Sequence, residues 1–548
     1  MKTKNLLLSI LILIGFVTAF GLFIDIMAPD GALYASIAKT MYLNNDFINL
    51  FSLGKDWLDK PHMPFWLTAL SFKVFGLNNF AYKFPAVLVF IFGIWVTYKF
   101  TKQNYNKETA LIAAIILATS LHSVISNFDV RAEPFLTGFI IASVYYFDSY
   151  IKNKKIKFLL LGCLFAGFSL MTKGIFTLIP IIAALGGELI VKRNWKQLLS
   201  PIWIVALIAA FVVTIPELYT LYTQFDLHPE KLVFGKNNVS GLKFFFWDSQ
   251  FGRFFNTGPI VNHNGSIFFF LHTLLWAFLP WSILFYLATF FKIKRNVKKA
   301  NRNEEYYSVF AALTAILVFS ISKFQLAHYT NIIFPFMAIV TADFIYKIKK
   351  EYQNKQKLYV IIQSVISILP IFLIPVLLYL MVDQISTTFI ITTIIVLVLL
   401  FITLKKRKLH KVDKFFVISS LSFILVYTFL ITSFYPTLLK YQGGVYAARH
   451  DNQSNSDIHV FEEDSADFGF EYYTKKTINR VNIEESTSFK GKTFYVSDNF
   501  LKQLDNNNID YSINQNFDNF RITKLNIKFA NKSTRKNNVS KTHIITLK

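Results

Sequence analysis

The chain has 548 residues, of which 53% are hydrophobic, and its mean hydropathy is +0.41. These values exclude a soluble globular domain, because one core cannot bury so much apolar surface. The net charge of +24 does not indicate a nucleic-acid partner, because the basic residues lie mostly in short loops between apolar runs. We predict a polytopic membrane protein, since runs of about 18 or more apolar residues recur and each can cross a ~30 Å hydrocarbon layer.

Thirteen apolar segments are predicted to span the membrane. They lie near residues 6–28, 81–99, 109–126, 135–151, 157–172, 175–190, 199–218, 266–291, 306–322, 328–345, 357–380, 387–404 and 413–434. Alternate loops such as "IKNKKIK" and "KIKRNVKKANR" are strongly basic, which places the N terminus in the cytoplasm. An odd number of spans then places residues 435–548 on the outer side.

The first segment, "MKTKNLLLSILILIGFVTAF", has a cleaved signal peptide as its alternative. Its apolar run is long, and no small-x-small cleavage site precedes the following "APDG" stretch. Both features favour a retained span.

Two outer loops are longer than a simple connection requires. The first, residues 29–80, contains "GALYASIAKTMYLN", where Leu33, Ile37 and Met41 recur at helical spacing. A turn at Leu53-Gly54 and a second, aromatic helix in "KPHMPFWLTALSFKVFG" follow. We predict that the first helix is amphipathic and that both helices lie in the plane of the membrane interface. The second long loop, residues 219–265, contains "FFFWDSQFGRFFNTG".

The pattern changes after residue 435. Short alternating segments such as "DIHVFE" and "TFYVS" indicate strands, and "DFGFEYYTKK" and "NFLKQLD" indicate helices. The predicted fold class is therefore an all-α polytopic membrane domain, residues 1–434, followed by a small extracytoplasmic α/β domain, residues 435–548.

Charged and polar residues gather at the outer ends of the predicted spans. Ionisable groups cost roughly 2.5–3.5 kcal/mol at a span centre on insertion scales, so those near a span are candidates for function. The group comprises Asp25, Asp30, Asp59, Lys60, Asp129, Arg131, Glu133, Lys173, Asp248, Arg253, Lys323, His328 and Tyr329. Each alone is compatible with a solvated cap, a snorkelling cation or an interfacial hydrogen bond. Together they predict a polar cavity at the outer face.

Acids and cations together at a membrane surface suit group transfer from a lipid phosphate. A carboxylate can act as a general base toward a hydroxyl group. Lys and Arg can stabilise the charge that develops on a phosphate leaving group, and aromatic stretches such as "FFFW" suit a lipid tail. The sequence contains no Walker-type glycine loop, which disfavours nucleotide-driven transport. Because nucleotide sugars are cytoplasmic, an outward-facing sugar transferase would need a lipid-linked donor.

The motifs of the first loop resemble a known family. "PDGALYASIAKTM" followed by "LDKPHMPFWLTALSFKVFGLNNFAYKFPAVL" resembles the first outer loop of the C-type, polyprenyl-phosphate-dependent glycosyltransferases. The similar branch contains bacterial aminoarabinose (lipid A) transferases and protein O-mannosyltransferases. "RAEPFL", "MTKGIF", "FFFWDSQFGRFF", "HTLLWAFLPW" and "SKFQLAHYTNIIFPF" follow in the order of the family's later signatures. The resemblance covers roughly residues 1–345.

The resemblance implies roles for individual residues. Asp30 matches the family's catalytic acidic residue, and Glu133 matches its second acidic residue. A donor phosphate is expected to contact four side chains, Lys60, Arg131, Arg253 and Tyr329. Supporting roles are expected for five more, Asp59, Tyr34, Lys173, His328 and Asp248.

A departure from the family pattern concerns metal binding. Aminoarabinose transferases have a Glu-His pair in the second outer loop, where this chain has Ser249-Gln250. Asp248 is the nearest substitute ligand. No cofactor follows from the motifs, the metal ligands are unassigned, and a divalent metal stays open as a cofactor.

The expected function is transfer of a monosaccharide from an undecaprenyl-phosphate donor to a lipid or protein acceptor on the periplasmic face of the bacterial inner membrane. Transfer is expected to invert the sugar, with Asp30 as the base or, for an acceptor that is already a phosphate, as an orienting group. The resemblance leaves hexosyl and pentosyl transfer open. One alternative is a lipid-linked sugar flippase, which predicts midplane charges and paired broken spans. A structural or sensor protein with a periplasmic binding domain is the other.

Overall fold

The computed structural model describes residues 3–262, 265–298, 301–454, 456–465 and 467–548. Most of this chain is helical, and a five-stranded sheet lies near its C-terminal end. The coarse prediction of a helical domain followed by a small α/β domain is confirmed.

Seven helices in the described residues are long and apolar enough to cross a membrane. They are Asn79–Asn104, Ile156–Lys173, Trp195–Asp226, Ala327–Lys350, Gln353–Met381, Thr387–Lys405 and Lys411–Leu439. Four apolar helices are shorter, namely Asn5–Gly21, Met63–Phe75, Ile175–Val191 and Tyr307–Ile321. The count of thirteen spans stays a prediction.

Two predicted spans are each divided into two helices. The segment near 109–126 forms Lys107–Ala118 and Leu121–Ser126, and the segment near 266–291 forms Phe269–Ala277 and Ser282–Lys298. The second break contains Pro280, which has no backbone N–H to continue a helix. Hydropathy alone does not detect such breaks, because the apolar run continues through them.

Several of these apolar stretches join shorter neighbouring elements. The individual α-helices within them, and the other α-helices of the N-terminal part, are Thr3–Gly21, Asp30–Asn44, Glu133–Asn153, Leu178–Val191, Trp195–Leu198, Ile202–Leu221, Gly241–Lys243, Arg253–Phe255, Phe334–Lys350, Gln356–Met381, Lys411–Phe429 and Tyr435–Leu439. Three π-helical stretches, Tyr222–Asp226, Phe244–Gly252 and Leu430–Phe434, extend neighbouring helices. Helices Gly443–Asp451, Phe468–Tyr473, Asp498–Asn506 and Ile527–Ala530 lie in the C-terminal part.

The helix Asp30–Asn44 is present as predicted, but its predicted amphipathic pattern is wrong. Every residue from Gly31 to Lys39 is buried, so the helix has no wide exposed face. It packs against the helix Met63–Phe75 on one side and the C-terminal helix Phe468–Tyr473 on another. The C-terminal domain therefore covers the face that would otherwise be exposed.

A short hairpin confirms the predicted turn in the first loop. Strands β1 (Phe51–Ser52) and β2 (Lys55–Asp56) pair antiparallel. The two residues between them, Leu53 and Gly54, have φ values of 53° and 74°. Two positive φ values are characteristic of the type I′ turns that join such hairpins.

The helices Asn79–Asn104 and Glu133–Asn153 meet without intervening side chains. A Cβ on Gly93 would lie 2.9 Å from the Cα of Gly138, and a Cβ on Gly138 would collide with the carbonyl oxygen of Val89. Small residues allow this close approach of helices in membranes. The contact fixes the helix Glu133–Asn153, whose first residue belongs to the candidate site.

The C-terminal sheet is mixed. Its strands are β3 (Ile458–Phe461), β4 (Ile478–Val481), β5 (Thr493–Ser497), β6 (Tyr511–Asn519) and β7 (Ser540–Leu547). The strand order is β4-β3-β5-β7-β6. Strand β3 runs parallel to β4 and β5, whereas β7 runs antiparallel to β5 and β6. In the central register, Phe494 lies between His459 of β3 and Ile545 of β7.

Candidate active site

Nine of the eleven predicted site residues lie in one polar cluster at the ends of helices and in the adjoining loops. The cluster comprises Asp30, Arg131, His328, Glu133, Lys173, Tyr329, Arg253, Asp59 and Lys60. These residues come from six separate stretches of sequence. Their joint placement supports the predicted polar cavity.

Asp30 lies at one end of the cluster, as the first residue of its helix. Its carboxylate forms a 2.9 Å ion pair with Arg131, which also binds Asp129 at 2.8 Å. The Asp30 side chain is 49% exposed, whereas that of Arg131 is 18% exposed. Burial opposes the charge of Arg131, but Asp129 and Asp30 outweigh it and raise the pKa of the guanidinium. Asp30 is thus oriented by a permanent cation and still faces open space.

Glu133 is the buried centre of the cluster, with 2% of its surface exposed. Its carboxylate forms an ion pair with Lys173 and lies 3.8 Å from Nε2 of His328. Burial alone would raise the pKa of Glu133, but Lys173 and then His328 reverse the effect and lower it to about 2. Glu133 therefore stays ionised at any physiological pH.

His328 connects Glu133 with the Asp30 side of the cluster. Its Nδ1 lies 3.3 Å from Nη1 of Arg131. Because a guanidinium can only donate, Nδ1 is the acceptor and the ring proton resides on Nε2, facing Glu133.

The turn after Lys173 places its ammonium group. Gly174 ends the helix with a φ of 86°, a conformation that favours glycine. A Cβ at this position would collide with the amide of Gln250, whose Nε2 donates to the carbonyl of Lys173 at 3.2 Å. The Lys173 ammonium then lies 4.0 Å from the centre of the Tyr329 ring.

Asp59 holds two cations at the far end of the cluster. It binds Lys60 at 2.6 Å and forms an ion pair with Arg253. Burial raises the pKa of this carboxyl, but Lys60 and Arg253 outweigh that effect and lower it. Burial, aided by Arg253, lowers the pKa of Lys60 despite Asp59. The cations therefore exceed the acids here, as a site for a bound anion requires.

A buried contact that sequence reasoning missed anchors this end of the first loop. His62 Nδ1 lies 3.1 Å from Glu217 Oε1, and the backbone N–H of His62 donates to Glu217 Oε2 at 2.9 Å. Both side chains are fully buried. An acidic residue inside a predicted span, residues 199–218, is the sequence signal that would have found it.

Two cavities open onto the cluster from opposite ends. The first is mostly apolar, with Phe176, Phe254, Phe319, Phe324 and Ile332 among its walls and Lys173, Arg253 and Tyr329 at its polar end. The second is a cleft of about 420 Å³ lined by Ala28, Pro29, Asp30, Gln442, Gly444, Asp467, Phe468, Gly469, Asn519, Phe520 and Arg521. The cluster therefore lies between an apolar cavity and a cleft that the C-terminal domain lines in part.

Two predicted site residues lie outside the network of ion pairs. Tyr34 is buried, and its ring centre lies 5.2 Å from that of Phe65; burial, with Glu133 and Asp59 nearby, raises its pKa well above the usual value. The side chain of Asp248 makes no ion pair or hydrogen bond with any residue that the structure describes, although its backbone belongs to the π-helical stretch Phe244–Gly252. No side-chain contact in the described residues therefore supports the prediction that Asp248 assists the site.

The described part of the loop 219–265, without residues 263 and 264, does not offer a metal site. Ser249 and Gln250 bind each other at 2.8 Å, and Gln250 also binds the turn at Lys173. Within the described ranges, no group of three or more His, Cys, Asp and Glu side chains is arranged to hold a metal ion. These residues do not fit the metal that the resemblance leaves open, so we derive no step through one.

The class of protein follows from comparison with known families. Residues 59–219 match the model of a family described as dolichyl-phosphate-mannose-protein mannosyltransferase. This stretch contains Asp59, Lys60, Arg131, Glu133 and Lys173 of the cluster. Together with the relatives and the structure below, it confirms the predicted resemblance to the polyprenyl-phosphate-dependent membrane glycosyltransferases.

Two individual relatives match about half to two thirds of the chain at 26% identity. An uncharacterized protein from Aquifex aeolicus is 26% identical over 348 residues, which are 63% of this chain and 64% of that protein. An undecaprenyl phosphate-alpha-4-amino-4-deoxy-L-arabinose arabinosyl transferase from Pseudomonas aeruginosa is 26% identical over 277 residues, 48% of this chain and 47% of that protein. The chain thus spans less than two thirds of the length of these relatives.

The fold is similar to that of ArnT from Cupriavidus metallidurans. The crystal structure of its apo state gives a TM-score of 0.74 and covers 99% of this chain and 98% of that one. The crystal structure of that protein bound to undecaprenyl phosphate gives a TM-score of 0.73 and covers 99% of this chain and 97% of that one. Sequence identity is 14% in both cases, so the likeness establishes the fold alone.

Proposed function

We propose that this protein transfers a monosaccharide from a polyprenyl-phosphate donor, such as undecaprenyl phosphate, to a lipid or protein acceptor. The observation that carries the proposal is the position of Asp30. This half-exposed carboxylate faces a polar cleft on one side and is joined through Arg131 to a group of cations beside an apolar cavity on the other.

The donor lies in the apolar cavity in this proposal. A polyprenyl chain suits its phenylalanine walls, and a phosphate suits the polar end, where Lys173, Arg253 and Tyr329 converge. Charge-assisted hydrogen bonds from Lys and Arg are among the strongest that a phosphate can accept. The structural relative solved with undecaprenyl phosphate supports this class of donor.

The reaction is a direct displacement at the anomeric carbon. Asp30 accepts the proton of an acceptor hydroxyl group, whose oxygen bonds to the anomeric carbon as the carbon–oxygen bond to phosphate breaks. The electron pair of that bond leaves on the lipid phosphate, which Lys60, Arg131, Arg253 and Tyr329 stabilise. The configuration of the sugar is inverted. An acceptor that is already a phosphate needs no base, and Asp30 then orients it.

The acids of the cluster hold these cations in place. Glu133 fixes Lys173 and His328, and Asp59 fixes Lys60 and Arg253. Paired cations are held in position before the donor binds, which reduces the reorganisation needed as charge develops on the leaving group.

The topology belongs to the proposal as well. Residues 1–434 form the transmembrane domain, with outer loops at 29–80 and 219–265, and residues 435–548 form a periplasmic domain. The protein crosses the bacterial inner membrane thirteen times, with its N terminus in the cytoplasm. The cluster then faces the periplasm.

A labelled donor tests this function. We expect purified protein in proteoliposomes to release radiolabelled sugar from a polyprenyl-phosphate donor and to attach it to an acceptor in a cell-envelope extract. A flippase would instead move the label across the bilayer while it stays bound to the lipid. Mass spectrometry of lipid A and of envelope glycoproteins then identifies the acceptor. Label that never leaves the polyprenyl phosphate would contradict the proposal.

A further inference from the structure

The C-terminal domain holds the backbone immediately before Asp30. The amide N–H of Ala28 donates to Oε1 of Gln442 at 2.6 Å, and Nε2 of Gln442 donates to the carbonyl of Ile26 at 3.0 Å. The amide N–H of Ile26 donates to the hydroxyl oxygen of Tyr473 at 2.9 Å. Gln442 is 5% exposed, so its amide is committed to these two contacts.

Asp25 extends this attachment. Both of its carboxylate oxygens accept from Arg449, at 3.0 and 2.5 Å, and the Arg449 guanidinium lies 4.8 Å from the centre of the Tyr473 ring. Asn79, the first residue of the helix Asn79–Asn104, donates to Asp25 at 3.2 Å and accepts from Tyr473 at 2.8 Å. Asp25 therefore joins the C-terminal domain to the membrane domain, a role that its sequence position alone does not indicate.

The helix that begins at Asp30 is held further along by Lys39. The Lys39 ammonium is buried and donates to the carbonyls of Glu471 and Thr474, at 2.6 and 2.5 Å. These carbonyls lie at the end of the helix Phe468–Tyr473, where backbone acceptors lack partners within the helix and attract a cation. The catalytic segment is thus attached to the C-terminal domain on both sides of Asp30.

We propose that Gln442, Arg449 and Tyr473 are positioning residues for Asp30, which makes the C-terminal domain part of the catalytic machinery. The inference rests on the proposed function. The contacts fix residues 25–28, and the carboxylate follows two residues later. A displacement of about 1 Å from the reactive geometry can cost about 100-fold in rate.

The same domain boundary provides a control. Lys55 in the β1–β2 hairpin and Glu462 in the C-terminal domain form an exposed pair at 3.7 Å. This pair also joins the two domains, but it does not touch residues 25–39. If contacts at the domain boundary only stabilised the protein, Glu462→Ala and Arg449→Ala would lower the transfer rate by similar factors.

The test measures transfer by purified full-length protein with a purified polyprenyl-phosphate sugar donor. We expect Gln442→Ala and Arg449→Ala to lower kcat about 10- to 100-fold and to leave the donor KM within about twofold. Arg449→Lys, which keeps a cation beside Asp25, should restore part of the rate, and Glu462→Ala should match the wild type. Thermal unfolding in detergent establishes the folded fraction of each variant.

Coupling to Asp30 separates positioning from a general loss of structure. In an Asp30→Asn background, Gln442→Ala should change the residual rate less than twofold, because the group that it positions is already gone. An equal fold-loss in both backgrounds would overturn the inference, as would full activity of both single variants or a rate loss that tracks the folded fraction. A wild-type protein inactive with every donor would refute the proposed function instead.

Discussion

Asp30→Asn is expected to remove nearly all sugar transfer, leaving only a low residual rate, while the protein still folds and inserts. The substitution keeps the shape of the side chain but removes a carboxylate that can accept a proton, and general base catalysis contributes about 10²- to 10⁴-fold. Arg131 keeps its pair with Asp129, so the cluster stays assembled. The loss should appear in kcat with purified donor, since the donor phosphate lies among other residues.

Asp46→Asn is the matched control for this change. Asp46 lies in the same loop and accepts hydrogen bonds from the backbone of Ile48 and Asn49. An asparagine oxygen can accept these two backbone bonds, and only the 2.8 Å bond from Nδ2 of Asn49 to the second carboxylate oxygen is lost, so transfer should stay near the wild-type rate. Full activity of Asp30→Asn with purified donor would remove Asp30 from the catalytic assignment.

Arg253→Gln is expected to lower kcat/KM about 10²- to 10³-fold, the usual effect of removing one preorganised donor at a site of developing charge. Arg253 lines the apolar cavity with Lys173 and Tyr329 and pairs with Asp59. Without the guanidinium, the departing phosphate loses a strong donor, and Asp59 is left with Lys60 alone. Both the affinity for undecaprenyl phosphate and the transfer rate should fall.

Arg295→Gln supplies the comparison for that variant. Arg295 also pairs with an acid, Glu304, and also contacts a tyrosine, Tyr352 at 3.1 Å. It belongs to a basic segment predicted to lie in the cytoplasm. Transfer should therefore be retained, and equal losses in Arg253→Gln and Arg295→Gln would mean that Arg253 acts through stability rather than through the phosphate.

The location of the cluster could be predicted from sequence because its signal is local. Charged residues such as Lys60, Glu133 and Lys173 stand next to long apolar runs, where they are energetically costly. The alternation of basic loops assigned these positions to one face without any knowledge of the fold. The structure brings most of them together, as that assignment predicted.

The pairing within the cluster could not be predicted, because it depends on contacts between distant parts of the chain. Asp30 meets Arg131 across about a hundred residues, and Glu133 meets Lys173 across a helix hairpin. Asp248 shows the opposite case, a predicted site residue for which the structure shows no side-chain contact. Its neighbours in sequence made it a candidate, but its side chain has no described partner.

The contacts between the C-terminal domain and residues 25–39 could not be predicted from the sequence either. Gln442 binds backbone groups of Ile26 and Ala28, and a backbone partner leaves no trace in the sequence. For the same reason the Asp30–Asn44 helix looked amphipathic, because its pattern does not reveal that a second domain covers it.

The configuration of the product tests the central claim most directly. A single turnover with an isotopically labelled polyprenyl-phosphate sugar should yield one free polyprenyl phosphate for each sugar transferred. Nuclear magnetic resonance of the product should show the anomeric configuration opposite to that of the donor, because Asp30 directs one displacement at the anomeric carbon. Retained configuration, or donor recovered intact on the opposite leaflet, would contradict the account.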